Sequence, residues 1–283
     1  MIRIGPAGWT HPGLSDIWPA RSASFDALAF LGTYFGCIEV DVTAHVTPRK
    51  EHIARWSAAL ADCPRTRLIV RLPTELVDLA RPAPERDEGA ERFRAALGPL
   101  VHRQRLGAVV AVLDERTLFG PAETRAMATL ARILGPVPLV LEAAHPSWHE
   151  SRALDALAGA GWSLAHLALD ERWNAPPRRH RPTGPIGMLR LVRPGPAKPQ
   201  DIAALARRAT EIAGDVDEVF VVTDNGGRAG TPAGASVAAA LEIKFVLGGE
   251  RPVAAWRGII DAFPHLAPLT QIEGASALGE SQA

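Results

Sequence analysis

Short apolar, β-branched runs alternate along this chain with longer stretches in which leucine and alanine recur at helical spacing. A short apolar run reads as a strand, and an apolar face repeating every turn reads as an amphipathic helix. On that pattern eight strands are predicted, over 2–5, 37–42, 67–72, 107–113, 137–142, 163–169, 186–192 and 218–223. Seven helices are predicted over 24–35, 49–61, 88–104, 121–133, 149–160, 199–213 and 233–247. Several open on start signals: Ser24 before Phe25, Pro121 after Gly120, and Thr231 followed by Pro232.

Near-continuous apolar strands joined by helical crossovers make a parallel sheet covered on both faces. Eight such units in 283 residues predict an α/β fold, a single (β/α)8 TIM-like barrel, since such barrels take about 250 residues. An open doubly wound sheet is the alternative. The barrel is assigned to residues 1–248, and 249–283 to a C-terminal extension with a short helix and a flexible tail. The sixth crossover departs from the pattern. Residues 171–185 hold four prolines without helical period and are expected to form a long loop.

Composition narrows the class. Hydrophobic residues make up 47% and charged residues 22%, which excludes a mainly disordered chain or a collagen. Lys plus Arg, 31, cancels Asp plus Glu, 31, so the excess that a non-specific nucleic-acid coat carries is missing and nucleic acid is a minor reading as a partner. Cys37 and Cys63 form no Cys-x-x-Cys pattern and read as small core residues of a reduced, cytoplasmic protein. No apolar run approaches the ~18 residues of a membrane span, so no membrane partner is expected. The opening MIRIGPAGW reads as a first strand and not as a signal peptide.

Barrel enzymes carry their chemistry at the C-terminal ends of the strands. In the second strand Ile38, Val40 and Val42 share one face, and Cys37, Glu39 and Asp41 the other. Unpaired buried charges are costly, so these carboxylates are expected inside the barrel with partners. The third strand offers Arg71; the fifth offers Glu142, followed by His145 and Trp148. The sixth offers His166 and then Asp170, the seventh Arg190, and the eighth Thr223, Asp224 and Asn225. Two readings follow. One is a scaffold of internal ion pairs among Glu39, Asp41, Glu142, Arg71 and Arg190. The other is a site in which Glu142, His145 and Asp170 are catalytic, and Glu39, Asp41, Arg71, Trp148, Arg190, Asp224, Asn225 and Trp9 bind ligand. A histidine beside carboxylates suits acid–base work because it titrates near neutrality.

Four weaker features accompany this set. Glu142, His145, His166 and Asp170 offer metal-type donors but no sharp spacing such as His-Glu-x-x-His, so no metal is assigned, and no motif identifies a cofactor. The segment DNGGRAGTPAGAS at 224–236, with Arg228, precedes a helix and reads as an anion-binding turn or a plain turn. Arg178, Arg179, His180 and Arg181 read as a phosphate contact or a solvated loop. Trp9, Trp18, Trp148 and Trp173 are candidates for a pocket wall, whereas Trp56 and Trp162 read as core.

In order and spacing, several segments resemble the YecE-like family, domain of unknown function 72, over roughly 2–248: IGPAGWTHPG at 4–13, FGCIEVDVTAHVTP at 35–48, LIVRLP at 68–73, LGAVVAVL at 106–113, LEAAHPSWHE at 141–150, LRL at 189–191 and VVTDNGG at 221–227. The resemblance implies a TIM-type barrel but no activity, because that family is named for its unknown function. Glu39, Glu142, His145, Trp148, Asp170 and Arg190 keep the family's places. Departures include Val40 and Asp41 for Ile-Asn, His45 for a tyrosine, Arg71 for a lysine, and Ala144 for an arginine. Further on, Val112 to Glu115 stand for Gln-Leu-Pro-Pro, Val192 and Arg193 for His-Gly, and Thr223 to Asn225 for Asn-Asn-Asp. The chain therefore resembles a divergent member. Two expectations are carried forward: an enzyme of hydrolase or lyase type acting on a small anionic or phosphorylated ligand, or a non-catalytic binding barrel with a degenerate site.

Overall fold

The computed structural model describes residues 1–10, 14–19, 25–169, 181–192, 198–224, 234–248 and 256–270. Nine strands run β1 (Ile2–Pro6), β2 (Cys37–Val40), β3 (Arg67–Arg71), β4 (Leu106–Val112), β5 (Leu139–Glu142), β6 (Trp162–Leu164), β7 (His166–Leu169), β8 (Ile186–Val192) and β9 (Glu218–Asp224). The helices between and after them are α1 (Ala27–Tyr34), α2 (Lys50–Ala59), α3 (Thr74–Val77), α4 (Ala83–His102), α5 (Pro121–Leu134), α6 (Ser151–Ala160), α7 (Pro199–Ala213), α8 (Ala235–Val246) and α9 (Arg257–Ala262). Every strand pair is parallel.

The strands form two arcs, β2-β3-β4-β5-β6 and β1-β9-β8-β7, which meet at two thin seams. At the first seam Ala7 bridges Glu39, Gly36 N–H donates to the Ile4 carbonyl at 3.1 Å, and Gly8 N–H donates to the Glu39 carbonyl at 2.9 Å. The backbones are so close here that a Cβ on Gly5 would lie 1.6 Å from the Cys37 carbonyl oxygen. At the second seam the predicted sixth strand, 163–169, is broken at Ala165. Its first half pairs with β5 and its second with β8, while Ala165 N–H donates to the Leu141 carbonyl at 2.8 Å. The break coincides with a contact from a distant side chain: Leu164 N–H donates to the Thr183 hydroxyl at 2.9 Å. With β6 and β7 counted as one stave, eight parallel staves build the TIM-like (β/α)8 barrel. The ladders themselves stop at the two seams.

Alternation along the strands separates two cores. Ile38, Val40, Leu68, Val70, Leu139 and Leu141 pack outward against the helices. Cys37, Ile69, Val110, Val140, Ala165, Met188, Phe220 and Val222 fill the barrel. That interior phase also carries Glu39, Arg71, Glu142, Arg190 and Asp224, each at the C-terminal end of its strand.

Boundaries differ from the pattern where local chemistry intervenes. β2 stops at Val40, because Asp41 opens a 3-10 turn, Asp41–Ala44. Asp41 is therefore half-buried beyond the strand and is not the next interior position after Glu39. α1 is capped by Asp26, whose Oδ1 accepts Ala29 N–H at 2.9 Å; Ser24 and the Thr231–Pro232 signal lie outside the described residues. α4 starts five residues before the predicted 88, at Ala83 with Pro84 in its first turn, through a charged stretch with no apolar period. Residues 256–267 pack onto the first crossover: Trp256 is fully buried, stacks on Trp18 (5.8 Å, 19°) and donates its indole N–H to the Ile17 carbonyl at 2.6 Å. Among the described residues no helix is long and apolar enough to cross a membrane.

Candidate active site

Five side chains from five strands converge at the top of the barrel. Arg190 is fully buried at its centre. Its Nε donates to Glu142 Oε2 at 2.6 Å, its Nη1 to Glu39 Oε1 at 3.1 Å and to Asp224 Oδ2 at 3.4 Å, and its Nη2 to Glu39 Oε2. Arg71 lies above, with Nε on Glu39 Oε1 at 2.7 Å and Nη2 on Asp224 Oδ2 at 2.9 Å. Glu39, with no exposed surface, is thus held by both guanidiniums, in the fork geometry that favours arginine over lysine. Register explains the convergence. Arg190 sits opposite Val222, two residues short of Asp224, and Glu142 sits opposite Val112.

Electrostatics follow from that packing. Burial alone pushes the Glu39 carboxyl up, and the guanidiniums of Arg190 and then Arg71 more than reverse it, so it titrates below the ordinary carboxylate range. Burial pulls the Arg190 and Arg71 guanidiniums down, and their carboxylate partners more than restore them, so both stay charged. Among the described residues three carboxylates, Glu39, Glu142 and Asp224, face the two guanidiniums of Arg71 and Arg190. Every nitrogen of Arg190 and both oxygens of Glu39 are engaged by one another and their neighbours. Glu142 Oε1 and Arg71 Nη1 take no bond within the described residues, and the Arg71 side chain is 20% exposed.

The other predicted residues are placed as follows. His145 follows β5 as the cap of a 3-10 turn, Pro146–His149: its Nδ1 accepts Ser147 N–H at 3.2 Å and lies 2.9 Å from Ser147 Oγ. Ser147 Oγ in turn accepts Phe119 N–H at 2.8 Å. In neutral His145 the proton therefore sits on Nε2, which makes the ring a hydrogen-bond donor and not a ready base. Trp148 is fully buried, with its indole N–H on the Thr117 carbonyl at 2.9 Å and its ring edge-on to Phe119 at 5.3 Å; it braces the loop after β4 and presents no face to a ligand. Trp9 is turned away from the mouth. Gly8, with φ +71, leads the chain out of the barrel, and Trp9 packs edge-on to Trp56 of α2 at 6.1 Å.

Asp170, Asn225, Trp173, Arg178, Arg179, His180 and Arg228 lie outside the described residues. Arg181 pairs with Asp155 of α6. His166 alternates with the interior residues Ala165 and Leu167, so it lies on the opposite face of its strand from them. Among the described residues no three His, Cys, Asp or Glu side chains gather as a metal set. Sequence reasoning missed Ser147, whose role was signalled by His-Pro-Ser: proline in the first position of a helical turn makes the preceding residue its cap. It also missed a cleft of about 930 Å³ between the loops after β3 and β4. That cleft is lined by Thr74, Asp78, Arg116 and Thr117, and by Val112, the register partner of Glu142.

The chain matches the model of the family described as protein of unknown function DUF72 over residues 3–254. A DUF72 family protein from Enterococcus faecalis V583 is similar in structure with TM-score 0.72 at 16% identity, covering 89% of this chain and 97% of that one. A DUF72 family protein from Thermotoga maritima MSB8 gives 0.69 at 18% identity, over 88% of this chain and 99% of that one. D-psicose 3-epimerase with D-tagatose from Clostridium cellulolyticum H10 gives 0.52 at 13% identity, over 92% and 94%. At these identities the likeness is one of fold. No curated protein matches the chain. The family match spans most of the barrel and both strands that hold the central salt bridge, Glu39 to Arg190, and the chain belongs to the DUF72 family.

Proposed function

We propose that this barrel is an enzyme of hydrolase or lyase type whose mouth takes a small polyhydroxylated ligand bearing one anionic group, such as a phosphate. The observation that supports this reading most is the unequal saturation of the network. Every nitrogen of Arg190 and both oxygens of Glu39 are engaged, while within the described residues Glu142 Oε1 and Arg71 Nη1 take no bond at the C-terminal end of the strands. Arg71 holds the anionic group. Glu142 exchanges a proton with a ligand hydroxyl or C–H, and His145 Nε2–H donates to a developing negative charge. Glu142 Oε1, a hydrogen-bond acceptor, favours ligand hydroxyls, which donate to it. Asp170 and Asn225 belong to the same proposal as orienting groups, and Asp41, one residue beyond β2, as a rim contact. The epimerase with D-tagatose shares the fold only, and lends the sugar-like ligand a precedent on this architecture.

A second reading, a binding barrel without turnover, draws on the engagement of every Arg190 nitrogen and both Glu39 oxygens within the network, and on the position of Ala144. The test is a panel of sugar phosphates incubated in D₂O and followed by proton and phosphorus NMR. Turnover or deuterium uptake by the wild type, lost in Glu142→Gln with an unchanged melting temperature, supports the enzyme. No turnover of any member by the wild type, or equal turnover in Glu142→Gln, overturns it.

A further inference from the structure

Outside the barrel, beside the first seam, a cleft of about 430 Å³ lies between the loop after β1, the start of α1 and the flank of α2. That volume is in the range of small-molecule sites. Four aromatic residues line it, Trp9, Trp18, Phe25 and Trp56, together with Asp26, Arg55 and Thr10. Trp9 and Trp56 meet at 89°, and Trp18 and Phe25 at 46°. A planar ligand such as a nucleobase wants parallel faces on which to stack. Each of these pairs is in contact and meets at a corner, which a rounded group fills better than a flat one. The rounded group that aromatic faces attract is a methylated ammonium, through the negative potential of each ring.

The charges on the rim complete the pattern. Asp26 uses Oδ1 to cap α1, and its other oxygen takes no bond within the described residues. Arg55 on α2 is exposed and has no ion pair among the described residues. One acid and one base on a single aromatic cleft complement a ligand that carries both signs. The cleft is also held rigid from behind: Trp18, one of its walls, is stacked on the buried Trp256, which also lies edge-on to Phe30 at 4.8 Å. A wall fixed in this way loses little freedom on binding.

We infer that this cleft binds a small zwitterion with a quaternary ammonium group, the ammonium among the rings beside Asp26 and the anionic end on Arg55. The site is separate from the barrel mouth and stands whether or not the mouth is catalytic. The test is saturation-transfer NMR and calorimetry with glycine betaine as probe, with choline, adenosine and D-glucose for comparison. Saturable transfer to the N-methyl protons of glycine betaine is expected in the wild type. Trp9→Ala should weaken binding at least about fivefold. Asp26→Asn, which keeps a cap acceptor and so keeps α1, should weaken both glycine betaine and choline; Arg55→Ala should weaken glycine betaine while leaving choline unchanged. No saturable signal with glycine betaine, binding unaffected by Trp9→Ala and Asp26→Asn, or a preference for adenosine or glucose would overturn the inference.

Discussion

The two ends of the barrel interior handle charge in different ways. At the N-terminal end of the strands, Arg3 pairs one-to-one with Glu218 and donates its Nη1 to the Arg65 carbonyl. Outside the interior, in the connection between α4 and β4, Arg105 donates to the Cys63 carbonyl at 2.6 Å and the exposed Arg103 to the Ser57 hydroxyl at 3.0 Å. Arg67 lies close enough to Arg3, Glu218 and Arg105 for their charges to act on it. The guanidiniums at this end are held by one carboxylate and by backbone carbonyls rather than by a shared carboxylate network. At the C-terminal end, among the described residues, three carboxylates share two guanidiniums, and Glu142 Oε1 and Arg71 Nη1 take no bond. An apolar plug of equal volume would fill that space without the desolvation cost. Under the proposed function the upper end is the one that meets the ligand, and the lower end serves as scaffold.

The largest effect is expected from removing the centre of the upper network. Arg190→Met leaves Glu39 and Glu142 buried without their main partner and should cost about 3–5 kcal/mol by chemical denaturation. A loss under about 1 kcal/mol would mean that the network is not held by Arg190. Next comes chemistry. Glu142→Gln keeps an acceptor for Arg190 Nε and should change stability by about 1 kcal/mol or less, while turnover found in the sugar phosphate panel falls about 10²-fold or more. Stability and turnover falling together would assign Glu142 to the scaffold.

Acid should act on the upper end through Glu39. Its carboxyl titrates lower in the folded chain than in the unfolded one, where a glutamate sits near about 4.3. The stability it contributes is full above that unfolded value and is lost as pH falls through the lower folded value. Circular dichroism of the wild type should show this loss below about pH 4, and Glu39→Gln should show less of it. An acid transition identical in both would contradict the pairing. The smallest effect is expected at the lower end, where replacing Arg3 and Glu218 together by Met and Leu should be neutral or slightly stabilising and leave ligand binding at the mouth intact.

Much of this contrast was legible in the sequence, because strand periodicity carries both the core and its charged exceptions. Glu39, Arg71, Glu142, Arg190 and Asp224 share the interior phase in which alternation puts them. Misreadings arose where a strand ends, since periodicity does not announce its own last residue. Asp41 continues the alternation on paper, but the backbone has already turned at Val40. Trp9 follows its strand closely enough to suggest the mouth, yet the positive φ at Gly8 sends it to α2. Trp148 carries the aromatic signature of a ligand wall, and only the Thr117 carbonyl and the Phe119 ring show that it braces a loop. The break at Ala165 coincides with a contact from a hydroxyl, Thr183, 19 residues away from Leu164. Such a pairing has no local signal.

The central claim is that the upper end holds a ligand through the open edge of Arg71. Calorimetric titration of inorganic phosphate and D-fructose 6-phosphate into the wild type, Arg71→Met and Arg3→Met tests it most directly. Saturable binding is expected to the wild type and Arg3→Met, with at least about tenfold weaker binding to Arg71→Met, its fold retained. Absence of binding to the wild type by either probe, or equal affinity in Arg71→Met, would contradict it.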